Sequence, residues 1–269
     1  MEFLGLLGEK LHHSLSPEIH SLIFKDLKKQ DSYRLFEVEK GNLNKFIDSV
    51  KLLKVKGFNI TIPYKKDIME YLDYISPEAK KIDAVNTVIN IDGKLKGYNT
   101  DYYGFGMLLE NNDIKVKDKV CTVLGYGGAC KAVLHYLIDS EAKIIYIVTR
   151  DPKKIDLSEY DNVRVISYDE LKDIKGDVVI NSTPVGMYPN VGVSPISKDI
   201  VSNYDALVDL IYNPEKTEFL NLGESMGKKS INGLLMLVGQ AVKAEEIWND
   251  VKIKEECIDT IYNKLKEKF

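Results

Sequence analysis

"KDKVCTVLGYGGACKAVLHYLIDS", residues 117–140, changes character twice within one short stretch. Val120–Leu124 is an apolar run of strand length, Gly125, Gly127 and Gly128 form a glycine turn, and the remainder reads as a helix. A G-x-G pair alone is a weak signal. Placed between an apolar strand and a helix it becomes strong, because the geometry needs it there. Gly125 permits the tight turn, and Gly127 lets the backbone approach a pyrophosphate. Cys130 stands at the third fingerprint position, normally Gly or Ala, and is small enough for helix–strand contact. The first N–H groups of the helix, Gly128 and Ala129 among them, then face the phosphates with the helix dipole behind them. The stretch predicts the opening β–α unit of a dinucleotide-binding domain.

The next strand supports this and bears on the cofactor. "AKIIYIVTRDPKK" is an apolar strand with a polar, basic tip, Thr149-Arg150-Asp151-Pro152-Lys153-Lys154. NAD-binding sites commonly carry an acid here for the ribose 2′-OH, whereas NADP-binding sites prefer an arginine near the 2′-phosphate. Arg150 offers a planar fork suited to phosphate and to stacking on adenine, and Lys153 or Lys154 can add a second charge. The tip therefore favours NADP(H), while Asp151 keeps NAD open. "GDVVINSTPVGM" and "YDALVDLIYNPEKTEFL" repeat the scheme of apolar strand and polar turn. Such alternation predicts a parallel sheet covered on both faces.

The first hundred residues have another texture. "FLGLLG" and "YRLFEVE" read as strands. "SPEIHSLIFKDLKK" reads as a helix with Ser16 as N-cap and Pro17 at the first helical position. "NLNKFIDSVKLL" is helical, and Asp92-Gly93 signals a hairpin. In "KGFNITIPYKK", residues 56–66, Asn59 and Thr61 alternate with apolar residues before Pro63, Lys65 and Lys66. Alternation puts the amide and the hydroxyl on one face of a strand. With Asn86, Asn99 and Thr100 they supply dense hydrogen bonding, the vocabulary of a polyol pocket that rejects analogues lacking a hydroxyl. "DYYGFGMLLENN" is a helix beginning at Asp101, and the last segments are helical. The fold class is thus α/β in two domains: an N-terminal α/β substrate domain of residues 1–101 plus 234–269, and a Rossmann-like domain of residues 102–233.

Composition narrows the partners. At 269 residues the chain can bury a core without staples. A net charge of −4 argues against general nucleic-acid binding. No stretch approaches the roughly 20 apolar residues of a membrane span, and the apolar part of MEFLGLLGEK is short for a secretory signal. A cytoplasmic protein with small-molecule partners is expected, acting as a monomer or homodimer without nucleic acid or membrane. Cys121, Cys130 and Cys257 read as reduced, buried, apolar side chains. His12, His13, His20 and His135 show no metal spacing, and a structural role is the reading for all four. No metal is expected.

Nine motifs then follow one another in order: "HSLSP", "NITIPYK", "AVNTV", "GYNTDYYG", "GYGGA", "TRD", "NSTPVGM", "DLIYNPEKT" and "NGLLMLVGQA". Together they resemble the shikimate dehydrogenase family across nearly the whole chain. The resemblance implies reversible NADPH-dependent reduction of 3-dehydroshikimate to shikimate, a step of aromatic amino-acid biosynthesis. It implies that Ser14 and Ser16 hold the substrate carboxylate with help from Tyr212. Asn59, Thr61, Asn86, Asp101 and Gln240 are implied to read the ring hydroxyls. Lys65 is implied to be the catalytic lysine, paired with Asp101. On the cofactor side the resemblance implicates Gly125, Tyr126, Gly127, Gly128, Ala129, Thr149, Arg150 and Lys154, with Thr183, Leu210 and Gly233 bordering the nicotinamide half.

The chain departs from the family pattern at two places. Thr149-Arg150-Asp151 stands where Asn-Arg-Thr is frequent, and Tyr126 stands where a small residue is common. A quinate/shikimate enzyme using NAD as well is the alternative that Asp151 leaves open. A non-catalytic NADP sensor on the same fold is a further one, although Lys65, Asp101 and Asn86 are all present. The chemistry has its own demand: losing or restoring a carbinol proton needs an acid, a base or a fixed positive charge. Lys65 can be a proton shuttle or an electrostatic stabiliser. A neutral lysine needs burial or a neighbouring cation such as Lys66, whereas Asp101 favours the charged form.

Overall fold

The computed structural model describes residues 1–11 and 14–269; the structural role expected of His12 and His13 lies outside the described residues. The chain divides into two compact units, residues 1–104 with 238–264, and residues 105–237 with 265–269.

The first unit holds β1 (Phe3–Gly8), α1 (Ser16–Asp26), β2 (Ser32–Glu37), α2 (Leu43–Leu52), β3 (Gly57–Ile60), β4 (Tyr74–Ile75), α3 (Pro77–Ile82), β5 (Thr87–Ile91) and β6 (Lys94–Tyr98). α4 (Thr100–Glu110) starts at its end. The sheet order is β2-β1-β3-β5-β6-β4. β1 runs parallel to β2 and β3, and β5 pairs antiparallel with β3 and β6. Asp92 and Gly93 both take positive φ, 52° and 83°, as the two-residue turn joining β5 to β6 requires.

Two local expectations are corrected. The strand of "GFNITIP" stops at Ile60, and all four of its residues are buried. β3 sits centrally between β1 and β5, and both of its faces are covered. Asn59 is therefore only 5 % exposed, and Thr61 follows the strand in a turn, its N–H still bonded to the Leu7 carbonyl. Ser16 is not an N-cap: it is the first residue of α1, Leu15 holds the cap position, and no side chain caps it. The Ser16 N–H is accepted by Ser14 Oγ at 3.2 Å.

The second unit holds β7 (Val120–Leu124), α5 (Gly128–Asp139), β8 (Ile144–Val148), β9 (Val163–Ile166), β10 (Val178–Asn181), α6 (Lys198–Val201), β11 (Ala206–Asp209), α7 (Glu218–Ser225) and β12 (Lys229–Ile231). Its sheet is all parallel in the order β12-β11-β10-β7-β8-β9. This is the doubly wound dinucleotide order, with its switch point at β7 and β10. β10 and β11 are buried throughout, as strands covered on both faces must be.

α8 (Leu234–Asn249) leads into α9 (Glu255–Lys266). The later part of α8 belongs to the first unit for a visible reason. Gly57 has no Cβ, and one built there would lie 2.3 Å from Trp248 Nε1. The missing atom lets the indole lie on β3 and donate to the Val88 carbonyl at 2.9 Å. Cys121, Cys130 and Cys257 are free and buried, and burial pushes the Cys121 and Cys130 thiols up to about 12. No helix among the described residues is long and apolar enough to cross a membrane.

Candidate active site

In the first unit the turn after β3 delivers Lys65, and the first turn of α4 delivers Asp101. Lys65 Nζ donates to Asp101 Oδ2 at 2.6 Å. The two side chains are 22 % and 15 % exposed, so a solute can reach the pair while much of the bulk water is excluded. Lys66 turns elsewhere: its Nζ donates to Asp83 at 2.7 Å, and that hydrogen bond and charge raise its pKa. The cation invoked from the sequence to neutralise Lys65 is thus occupied with a different carboxylate.

Behind the pair lies a buried amide–hydroxyl network. Asn86 Oδ1 accepts from the Thr100 N–H at 2.6 Å, from Thr100 Oγ1 at 3.2 Å and from Thr87 Oγ1 at 3.1 Å. Thr87 Oγ1 and Thr100 Oγ1 are 3.1 Å apart, and Asn59 Nδ2 donates to Thr87 Oγ1 at 2.9 Å. Asn59 Oδ1 accepts from the Tyr33 hydroxyl at 2.8 Å. Burial of this many polar atoms is tolerable because they satisfy one another. The network fixes Thr100, and so the start of α4 that carries Asp101. Asn99 joins through Nδ2 to the Ala84 carbonyl at 2.9 Å. Ser14, Ser16 and Thr61 are half-buried in the same unit, as is Gln240 on α8.

The second unit supplies a cleft of about 690 Å³ at the C-terminal ends of the parallel strands. Gly125, Tyr126, Gly127, Thr149, Arg150 and Thr183 line it, with Tyr168, Ser182, Pro184 and Val185. Gly125 has φ +88°, the left-handed region that favours glycine. Gly127 caps α5 with φ −102°, and a Cβ there would meet nothing within 4 Å. The protein's own packing does not require glycine at 127; the open space above it suits a ligand pressed against the backbone. Arg150 is exposed at the rim. Burial raises the Tyr168 phenol while the Arg150 charge lowers it, so the two side chains are neighbours. Lys154 binds Asp151 instead of lining the cleft, Nζ to Oδ2 at 2.8 Å.

Leu210 and Gly233 are brought together: Gly233 donates to the Ile211 carbonyl at 3.0 Å, and a Cβ on it would clash with the Leu210 carbonyl. Tyr212 lies in the second unit, its ring edge-on to Phe269 at 5.5 Å, and burial raises its phenol.

Sequence reasoning missed Tyr33, Tyr168 and Asp209. Asp209 is fully buried at the end of β11. It accepts from Asn181 Nδ2 at 3.0 Å, the Ile211 N–H at 3.1 Å and Thr217 Oγ1 at 2.6 Å. Asn181 Oδ1 in turn accepts from Thr183 N and Oγ1 at 3.0 and 2.7 Å. One carboxylate thereby braces both the "NSTP" and "DLIY" turns. Burial raises it from 3.8 to about 6 against the pull of Thr217, Ile211 and Asn181. An acid inside the apolar run "ALVD" was the available signal.

Residues 6–88 match the family described as "Shikimate dehydrogenase substrate binding domain". A protein of Clostridium beijerinckii named shikimate dehydrogenase (NADP(+)) is 54 % identical over 269 residues, covering 100 % of both chains. The crystal structure of shikimate dehydrogenase 1 from Peptoclostridium difficile is 52 % identical, covers 100 % of this chain and 99 % of that one, and superposes with a TM-score of 0.91. The Thermus thermophilus shikimate 5-dehydrogenase, solved in complex with NADP(H) and shikimate, is 30 % identical, covers 98 % and 99 %, and has a TM-score of 0.88. With identity this high over its whole length, the chain belongs to the shikimate dehydrogenase family.

Proposed function

We propose that this chain catalyses the reversible, NADP(H)-dependent interconversion of 3-dehydroshikimate and shikimate, with Lys65 and Asp101 at the reacting hydroxyl. The observation that carries the residue assignment is the 2.6 Å Lys65–Asp101 contact, part-buried and backed by the Asn86–Thr87–Thr100 network. The substrate is a polyhydroxylated acid, and the first unit offers it hydroxyls and amides in fixed places. Thr61 and Asn86 read ring hydroxyls, as does Gln240 from α8. Asn86 does so from its amide nitrogen, since its carbonyl end is anchored. Ser14 and Ser16, joined by the Ser16 N–H to Ser14 Oγ bond, hold the carboxylate, with Tyr212 assisting. Asn59, bonded at both ends of its amide, stiffens this floor more than it reads the ligand.

The glycine turn, the open space at Gly127 and the Arg150 guanidinium fit a dinucleotide phosphate group, and NADP(H) supplies the hydride when bound. The chain's own residues do the rest. Lys65 holds positive charge at the substrate oxygen as it becomes an alkoxide, and it passes or receives the proton there. Asp101 orients the ammonium and, sharing its proton by a short charge-assisted bond, keeps Nζ directed at that oxygen. Gly125, Gly127, Gly128 and Ala129 present the turn and helix N–H groups to phosphate; Thr149 and Arg150 meet the adenosine end, and Lys154 joins them on leaving Asp151. Thr183, Leu210 and Gly233 border the nicotinamide.

The test is absorbance at the NADPH band with shikimate and NADP, run beside NAD and beside quinate. Rapid reduction only with shikimate and NADP is expected. Comparable rates with NAD or quinate would make the chain the relaxed-specificity enzyme, and no turnover with any pair would overturn the reading.

A further inference from the structure

Tyr33 occupies a place that no sequence motif marks. It is 8 % exposed on β2, and its hydroxyl donates to Asn59 Oδ1 at 2.8 Å. Its ring lies flat on the imidazole of His20, with centroids 3.9 Å apart and planes 9° apart. His20 comes from α1, four residues after Ser16, and is itself fully buried. His20 Nδ1 meets Glu245 Oε1 at 2.6 Å, and both side chains are fully buried. Facing a carboxylate, Nδ1 is the nitrogen that carries the proton. Asn249 Nδ2 donates to the other Glu245 oxygen at 2.7 Å. Lys29 and Lys56 both donate to Asn249 Oδ1, so two cations stand one residue behind the buried carboxylate.

A buried polar cluster of this kind contributes little net stability, because desolvation offsets the attraction. What it does supply is a fixed geometry. The His20–Glu245 contact ties α1 to α8, and these helices carry Ser16 and Gln240. The Tyr33 ring is clamped between that contact and Asn59.

We propose that Tyr33 is a positioning residue for the substrate: seated on the buried His20–Glu245 pair, it sets the Asn59 amide in the floor of the site. The inference rests on the functional reading given above. It accounts for a phenol, an imidazole and a carboxylate buried together with no part in proton transfer. Removing the Tyr33 hydroxyl leaves Asn59 Oδ1 without its donor inside the protein, and the floor beneath the substrate loosens. Thr100 keeps its two bonds to Asn86, so the Lys65–Asp101 pair keeps its geometry, and the cofactor cleft is lined by other residues.

The chain carries a reporter for the test. Trp248 is its single tryptophan, 5.4 Å from the His20 ring and 6.3 Å from the Tyr33 ring. Shikimate is titrated against Trp248 emission without nucleotide, and steady-state constants are measured for shikimate and NADP. In Tyr33→Phe, the shikimate KM and the fluorescence Kd are expected to rise together by about tenfold, the scale of one buried hydrogen bond. kcat should stay within about twofold and the NADP KM should not change. Glu245→Gln, which keeps the shape and the acceptor for His20 but removes the charge, should move the shikimate KM the same way by about threefold.

A merely structural Tyr33 would lower thermal stability and degrade both KM values and kcat together; that pattern overturns the inference. If the wild type binds and turns over shikimate and both variants do so equally well, the inference falls while the functional reading stands. If the wild type neither binds nor turns over shikimate, both fall.

Discussion

Lys65 Nζ and Asp101 Oδ2 meet at 2.6 Å although 36 residues separate them in the chain. The turn leaving β3 and the start of α4 make this contact, and Thr100, held by Asn86, anchors the second of them. A lysine tied to a carboxylate is a well-aimed source of positive charge and of a proton. Lys65→Ala is therefore expected to lower kcat by about 10²–10⁴ while the shikimate KM changes only a few-fold. Asp101→Asn, which keeps the shape and loses the charge, should lower kcat by about 10–10². Steady-state kinetics at saturating NADP check both, and a Lys65→Ala enzyme retaining kcat within a few-fold would remove Lys65 from the reaction.

Gly127 separates two reasons for a glycine. At Gly125 the φ of +88° and the nearby Thr183 methyl, 2.7 Å from a built Cβ, are structural demands. Gly127 has neither. Gly127→Ala is expected to leave the melting temperature within about 1 °C and to raise the NADP KM by tenfold or more. The shikimate KM should hold. A variant that melts early with an unchanged NADP KM would show that the glycine serves the fold instead.

The second unit was more legible in the sequence than the first. Its parallel strands are buried on both faces, so their apolar runs and polar tips stand out, and Gly125 and Arg150 fall where strand ends must converge. In the first unit the alternation of Asn59 and Thr61 suggested one polar face of a strand open to a polyol ligand. Burial of β3 on both sides instead put Asn59 into the interior, where its partners come from β2, β5 and the residue before β5. Long-range polar pairings of that sort leave no local pattern. Tyr33 and Glu245 are invisible for the same reason: the partners of each are set by how α1 and α8 pack. Asp151 could be read as an acid but not as the partner of Lys154.

That partnership leads to a prediction about cofactor choice. Asp151 takes the Lys154 ammonium at 2.8 Å, and Arg150 stays exposed at the cleft beside Tyr168. Lys154 is largely solvated, so the pair is weak and a 2′-phosphate can compete for it. Asp151→Thr frees the lysine and removes the repelling charge. The ratio of kcat/KM for NADP over NAD should rise about three- to tenfold, by way of the NADP KM. Arg150→Ala should lower the same ratio by about tenfold or more, because a planar bidentate partner for phosphate is lost. Competition assays with the two nucleotides read both variants. A ratio unmoved by Arg150→Ala would place 2′-phosphate recognition elsewhere.

Asp209 gives the chain a pH-dependent weakness. Its carboxyl is raised from 3.8 to about 6 in the folded protein. Between those values the native state binds a proton that the unfolded chain has released, so stability falls as pH rises. The contribution is full below 3.8, is lost as pH rises through about 6, and is flat above. At ~1.4 kcal/mol per pH unit the window spans on the order of 3 kcal/mol. Asn in its place can accept from Asn181 and Ile211 through Oδ1 and donate to Thr217 through Nδ2, so Asp209→Asn keeps the brace without the buried charge. The melting temperature of the variant minus that of the wild type should rise by several degrees between pH 4.5 and 7.5. The rise comes from the wild type, which loses stability over that window while the variant does not. A difference constant across the range would mean that Asp209 stays ionised throughout, held by its three donors against the burial.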